Sequence, residues 1–417
     1  MSSAPRALRP WLRRLAISFV VCLGLVPAAR AQQPLAPLTL EDCIKIGLER
    51  QPALAAQHAS LSAAEAQRRA LDNMRVASLL SKELAIRKQQ AALGIGVHQA
   101  GVQVAEWETI YAVSRTYYTV VYARRQEQQV RGLLEKLELS RKSAQALVKK
   151  GDPDSLVTQV DVDKLTVNIE LLELRLVEAS TGIDRATAAL REAMGVPHDA
   201  PLPLLLTDFP PPPDGLDREA LNHAALARRG EITQASNAAR IAELEVCAQN
   251  TGCLLPYKRT FAAASDIHSK TIPQGVSNTT YRPSAIGIEM PTLMVGHKAD
   301  RVDRARDYSA KAGAVVEKTQ NLIALETEDA IAKTQAASAQ VKTLRESVKK
   351  AVKLADLISG RFETGKVSGE DYLRARTLED TTQAQLNEAL YHYVLGLAAL
   401  ERVTAGAFVP PYRRPPQ

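Results

Sequence analysis

Beyond residue 31 the chain has no apolar run of the roughly 18 to 20 residues that a membrane-spanning helix requires. That excludes a bundle of membrane helices, so any contact with a bilayer must be made by other means. The signatures of chemistry are missing too. Seven histidines (His58, His98, His198, His223, His268, His297 and His392) form neither an H-E-x-x-H nor a His/Cys cluster at ligand spacing. "LGIGV" is too short for a dinucleotide fingerprint, and "GKVSG" lacks the spacing of a phosphate loop. Tyr111, Tyr117, Tyr118 and Tyr122 recur at helical spacing and read as packing rather than a stacking platform. No enzyme, no metal and no cofactor are expected.

The first thirty residues read as a leader. Arg6, Arg9, Arg13 and Arg14 precede the short apolar stretch "LAISFVVCLGLV", and Ala29-Arg30-Ala31 offers a small-x-small cleavage site. A cleaved secretory signal is therefore expected at 1–31, with export as its consequence. Removing its five arginines lowers the net charge from +7 to +2. The basic balance thus belongs mostly to the leader and gives no reason to expect nucleic acid. Of the four cysteines, Cys22 lies in the leader and Cys43 reads as a small buried apolar residue. Cys247 and Cys253 flank "AQNTG" and could pair in an exported chain. They could do so only if the segment is not helical, since six helical residues separate Cα atoms by about 9 Å.

What the chain has is long helix. Leu165, Ile169, Leu172, Leu176, Ala179, Ile183, Ala186, Leu190 and Ala193 follow strict 3-4 spacing, which keeps one stripe facing a partner helix. Similar seams run from Val302 to Ile323, from Val341 to Phe362, and through Trp107, Tyr111, Ser114, Tyr118 and Val121. Between Ala299 and Glu363 there is no proline, so one helix of roughly 95 Å is predicted at 1.5 Å per residue. Periodicity alone fits a coiled-coil rod as well. "KKGDPDS" around Gly151 and "ETGKVSGED" around Gly365, however, are short turns between long seams, so each should join two antiparallel helices.

The chain also repeats. "LERQPAL" at Leu48 aligns with "LARRGEI" at Leu226 at an offset of 178, and the proline-rich connector 195–215 lies between the copies. The turn glycines, Gly151 and Gly365, are offset by 214, so the second copy carries about 36 extra residues before its turn. Only about 254–297 there is not helical in pattern. "YKRTFAAASDIHS" and "SAIGIEM" read as two strands, the second placing Ile286, Ile288 and Met290 on one face. That face suits either a membrane or a soluble amphipathic hairpin. The expected organisation is a leader (1–31), a first helical repeat (32–194), a linker (195–215), a second repeat (216–403) and a tail (404–417). The fold class is mainly α: long antiparallel helical hairpins in two tandem repeats with a small β-hairpin insertion in the second.

These parts, in this order, resemble the TolC-like outer-membrane efflux family. "LTLEDCIKIGLERQPAL" is similar to that family's first-helix opening and "LARRGEI" to its counterpart in the second repeat. "LLPYKRTF" and "MPTLMVGHKADR" resemble the entry and exit of the second β-hairpin, and "RFETGKVSGEDYLRA" the hairpin turn at the periplasmic end. The resemblance implies a homo-oligomer, a trimer in the family, whose helices form an α-barrel tube and whose strands enter the outer membrane. It also implies a passive conduit for efflux or type I secretion that docks on a periplasmic adaptor and works with an inner-membrane transporter. Carried over by residue, Asp371 with Glu370 matches the acidic constriction at the tube's far end, and Gly151, Asp152, Gly365 and Lys366 the docking tips. Ile286, Ile288 and Met290 would face lipid. Arg374 stands where the family typically carries an acid and could pair with Asp371. Read without the family, Glu370 and Asp371 are an ordinary acidic first helical turn.

One part is missing. The first repeat should also carry a β-hairpin, yet "MRVASLLSKELAIRKQQAALGIGVHQAGVQVAEWET" keeps a helix-favouring composition, with at most a tight turn at the glycines of "LGIGVHQAG". Two strands from each of three copies would give six, fewer than the eight of the smallest single-chain barrels. A non-conducting periplasmic coiled-coil or adaptor-like protein derived from the fold is the alternative.

Overall fold

Three of the main helices start with the same chemistry, a hydroxyl followed three residues later by an aspartate. At the first helix (α1, Leu40–Arg50), Asp42 N–H donates to Thr39 Oγ1 at 3.2 Å, and the Asp42 carboxylate accepts from Thr39 N–H at 3.0 Å. Thr158 and Asp161 begin α4 (Gln159–Ala193) with bonds of 2.9 Å. Ser368 and Asp371 begin α8 (Gly369–Val403). Each cap satisfies otherwise orphaned donors and is worth about 1 kcal/mol.

The computed structural model describes residues 37–74, 82–151, 153–205, 207–211, 215–251, 256–261 and 290–413. The expected leader, Asp152, Cys253, Ile286 and Ile288 lie outside them. Within them α1 is followed by α2 (Pro52–Asn73), α3 (Lys82–Lys150) and α4. After the connector come α5 (Arg218–Arg228), α6 (Gly230–Asn250), two short strands, α7 (Lys298–Glu363) and α8. The halves match helix for helix: 11, 22, 69 and 35 residues in the first, 11, 21, 66 and 35 in the second. They differ in one place. Eight residues (74–81) separate α2 from α3, where 47 (251–297) separate α6 from α7.

The seams face inward. α3 packs on α4 and on α8, and α8 on α7, so α4 and α7 lie at the two edges of the row. Toward the other end α2, α3, α6 and α7 pack in sequence. Leu137, Leu165, Ile169, Phe362 and Tyr372 form the core near the turns. Tyr117, Tyr118, Leu190, Val341, Tyr393 and Leu397 form a larger core midway, where α1 also packs. The folding back of α4 on α3 and α8 on α7 distinguishes this chain from a single coiled-coil rod.

Three details differ from expectation. Gly94, Gly96 and Gly101 make no turn; all lie inside α3. Their lack of a side chain serves close approach to α6: a Cβ at Gly96 would sit 2.7 Å from Asn237 Nδ2, and one at Gly101 3.0 Å from Gln234 Nε2. Among the described residues, strand β1 (Tyr257–Arg259) pairs antiparallel with β2 (Leu293–Val295), Lys258 opposite Met294. The expected strand "SAIGIEM" lies, but for Met290, outside the described residues. Met290 itself is 1% exposed and packs with Ile241, Met294 and Ala305, so it is buried between helices and does not face lipid.

Candidate functional site

Both turns come together at one end. Gly151 (φ +66°) and Gly365 (φ +72°) hold left-handed conformations that glycine adopts freely. Leu156 N–H donates to the carbonyl of Gly365 at 2.8 Å, which ties the two tips together. Lys366 is exposed beside Gly365.

Just above the turns stand Glu370, Asp371 and Arg374, all exposed. The pairing of Arg374 with Asp371 is not found. Arg374 instead bonds Glu370 at 2.6 Å, one helical turn away, while Asp371 accepts from the Ser368 hydroxyl at 2.9 Å. Glu370 also receives Lys164 of α4 at 3.5 Å. The difference is geometric: an i,i+4 pair faces along the helix, whereas Asp371 at the third position turns back to the cap. Cys247 is exposed in the last turn of α6, and its expected partner is not among the described residues.

A second cluster, which sequence reasoning missed, lies midway. The Arg229 guanidinium bonds Glu231 at 2.5 Å and Glu326 of α7 at 3.0 Å. Arg402 of α8 also bonds Glu326, reaches Glu108 of α3 at 2.8 Å, and lies over the Tyr111 ring. Arg229, Glu231, Glu326 and Arg402 are all buried. Burial works to raise the Glu231 carboxyl, but the bond and charge of Arg229 outweigh it and hold it below the usual range. Arg229 and Glu231 sit in "LARRGEI", the stretch that exposed the repeat. At the aligned place in the first repeat, Gln51 donates to the carbonyls of Glu192 and Ala193, both at 3.2 Å. The same joint is thus closed twice, once by an amide capping α4 and once by an ionic network.

A third polar group closes the end near the strands. Glu245 of α6 is buried and accepts from Arg87 of α3, Gln90 and Gln249, while Arg87 also donates to the carbonyl of Arg259 in β1. Lys258, its stem buried, reaches Glu83 at 2.9 Å and the carbonyl of Thr251 at 3.1 Å. The N-terminal turns of α3 thereby anchor the hairpin of the other repeat. Among the described residues there is no group of three His, Cys, Asp or Glu placed to hold a metal, and no helix long and apolar enough to cross a membrane.

Residues 262–406 match the family described as outer membrane efflux protein. No curated protein matches the chain by sequence. Among solved structures it is similar to the outer-membrane channel OprN (15% identity, TM-score 0.68), covering 89% of this chain and 91% of that one. The Campylobacter jejuni CmeC outer membrane channel gives 14% identity and TM-score 0.69, with 88% and 86% covered. The open state of the Neisseria gonorrhoeae MtrE outer membrane channel gives 15% and 0.64, with 88% and 89% covered. Likeness at that identity establishes the fold, and the family is one of channels rather than enzymes. Residues 262–406 thus match the outer membrane efflux protein family, and the chain has the fold of the outer-membrane channels it is similar to.

Proposed function

We propose that the chain is the protomer of an outer-membrane conduit for efflux or type I secretion, a passive duct with no chemistry of its own. The observation that carries this is the pair of matched repeats. Both helical hairpins end at one pole, tied through Leu156 and Gly365, while the strands leave from the opposite pole. That arrangement suits a tube with its tips in the periplasm and its strands toward the outer membrane. In this reading residues 1–31 are a cleaved leader, and the repeats span 32–194 and 216–403, joined by 195–215. The tips at Gly151, Asp152, Gly365 and Lys366 meet a periplasmic adaptor serving an inner-membrane transporter. Glu370, Asp371 and Arg374 line the narrow end. Copies associate around an axis, as three in the family's usual assembly.

Planar-bilayer recording on protein extracted from outer membranes tests this. Discrete conductance steps are expected; a chain recovered only from the soluble periplasmic fraction, with no steps, overturns it. The second reading, a non-conducting periplasmic protein, has one specific observation in its favour. The eight residues between α2 and α3 cannot supply two membrane-crossing strands of about 9 to 11 residues each.

A further inference from the structure

A cavity of about 570 Å³ opens between α3, α7 and α8 beside the middle ionic network, a size that holds small molecules. Helix phase decides which way it faces. Val113 and Tyr117 of α3 turn toward α1 and the connector: a Cβ on Gly47 would sit 3.0 Å from Val113, and Tyr117 donates to the carbonyl of Leu205. Tyr111 and Arg115 lie two residues to either side of Val113, about 160° round the helix from it, and both line the cavity. It therefore opens on the face of the helix layer opposite α1 and the connector.

Its walls are short and apolar. Ala330, Ala336 and Ala337 of α7 line it with Leu395, Gly396 and Ala399 of α8, and even a methyl group at Gly396 would meet Thr334. These side chains leave room for a ring, and the Tyr111 ring offers one a surface to pack on. The charged groups are unevenly spent. Glu326 already accepts from Arg229 and Arg402, and Asp329 from Lys333 at 2.6 Å. Arg115 is exposed and has no ion pair among the described residues, and Arg402 Nε has no hydrogen-bond partner among them. Arg115, Lys333 and Arg402 line the space against Glu326 and Asp329, so with His392 neutral the charge left over is positive.

We propose that this cavity binds a small aromatic anion. Its ring packs among Tyr111 and the short side chains of α7 and α8. Its carboxylate or sulfonate accepts from the Arg115 guanidinium, whose planar fork suits either group. A cation of the same shape is rejected, because it would meet Arg115 while both acids of the lining are already taken. The apolar walls thus supply the adhesion and the guanidinium the orientation. The site goes beyond the conduit reading and does not depend on it: a pocket midway along the helices is filled whether or not the chain conducts.

Trp107 stands one helical turn from Tyr111 and is the only tryptophan after the expected leader, so energy transfer from it reports a fluorescent anion in the cavity. Anilinonaphthalene sulfonate added to the purified protein should quench Trp107 in a saturable step, displaced by naphthalene sulfonate and not by naphthyl trimethylammonium. Arg115→Gln should weaken binding about tenfold, the loss expected for one charge-assisted hydrogen bond. Ala336→Phe, which fills the cavity from an exposed position, should abolish the step, and Arg240→Gln, at an exposed arginine of α6, should leave it unchanged. No saturable step, equal displacement by the cation, or a step indifferent to Arg115→Gln or Ala336→Phe overturns the proposal. Conductance without the step would remove this site and leave the duct; the step without conductance would do the reverse.

Discussion

Two glutamates on the same helix separate burial from mere pairing. Glu326 and Glu328 both belong to α7 and both bond arginines. Glu326 is 5% exposed and shared between Arg229 and Arg402, whereas Glu328 meets Arg218, whose side chain is 67% exposed. Replacing Glu326 by Gln keeps the shape but leaves two buried guanidiniums short of a counter-charge. Breaking a buried ion pair from one side costs about 3 to 5 kcal/mol, because the surviving charge cannot regain water. Replacing Glu328 by Gln should cost about 0 to 1 kcal/mol, since Arg218 simply turns to solvent. Urea unfolding of the two variants beside the parent chain measures both numbers. Adding Arg402→Met and the double variant Glu326→Gln/Arg402→Met completes a cycle that isolates the coupling, which should be favourable by more than about 1 kcal/mol. Equal losses within about 0.5 kcal/mol for the two single variants would refute the claim that burial gives the middle network its weight.

Other consequences are open to measurement. Glu401 is 4% exposed and its carboxyl is pushed up to about 7 by burial, Arg413 at 3.6 Å being too far for a hydrogen bond to compensate. In the unfolded chain it ionises near 4.5, so between those values the folded state holds the extra proton and stability falls as pH rises. Glu401→Gln should remove that fall, of order 3 kcal/mol at about 1.4 per unit, in unfolding curves taken from pH 4.5 to 8; an unchanged slope counts against it. Glu231 has the opposite sign, giving stability that is lost as pH drops through its lowered value, and Glu231→Gln should flatten the acid limb. Gly396→Ala should cost about 1 to 3 kcal/mol, since its Cβ would meet Thr334 of α7, whereas Gly132→Ala, with open space around it, should stabilise by about 0.5 to 1. Asp371→Ala should alter cation block or leak in single-channel records, and an unchanged record would remove Asp371 from the narrow end.

Much of the fold was legible because long helices write their partners in one dimension. The stripe from Leu165 to Ala193 is buried or half-buried throughout, and the stretch without proline from Ala299 to Glu363 is one helix. The repeat was legible as well, and the offset between its two halves pointed to the connection of 47 residues between α6 and α7. The composition of α3 pointed to helix, and its glycines left a turn open because a glycine in sequence does not say whether its missing side chain serves a turn or a neighbour. At Gly96 and Gly101 the neighbour is α6, more than a hundred residues away.

The middle network escaped for a related reason. Arg229 and Glu231 are adjacent in a motif that was noticed for its repetition, while Glu326 and Arg402 sit on long helices among dozens of charges meant for water. Nothing local distinguishes Glu326 from Glu328. The difference is set by the phase of α7: Ile323, Thr327, Ala330 and Ile331 turn one face inward, and Glu326 lies on it. A charge falling on the apolar phase of an amphipathic helix is the signal that could have found the site. The converse holds on α4, where Val160, Val167 and Leu174 fall on the polar phase and stay exposed. A buried charge needs a partner within the chain, and the networks supply it.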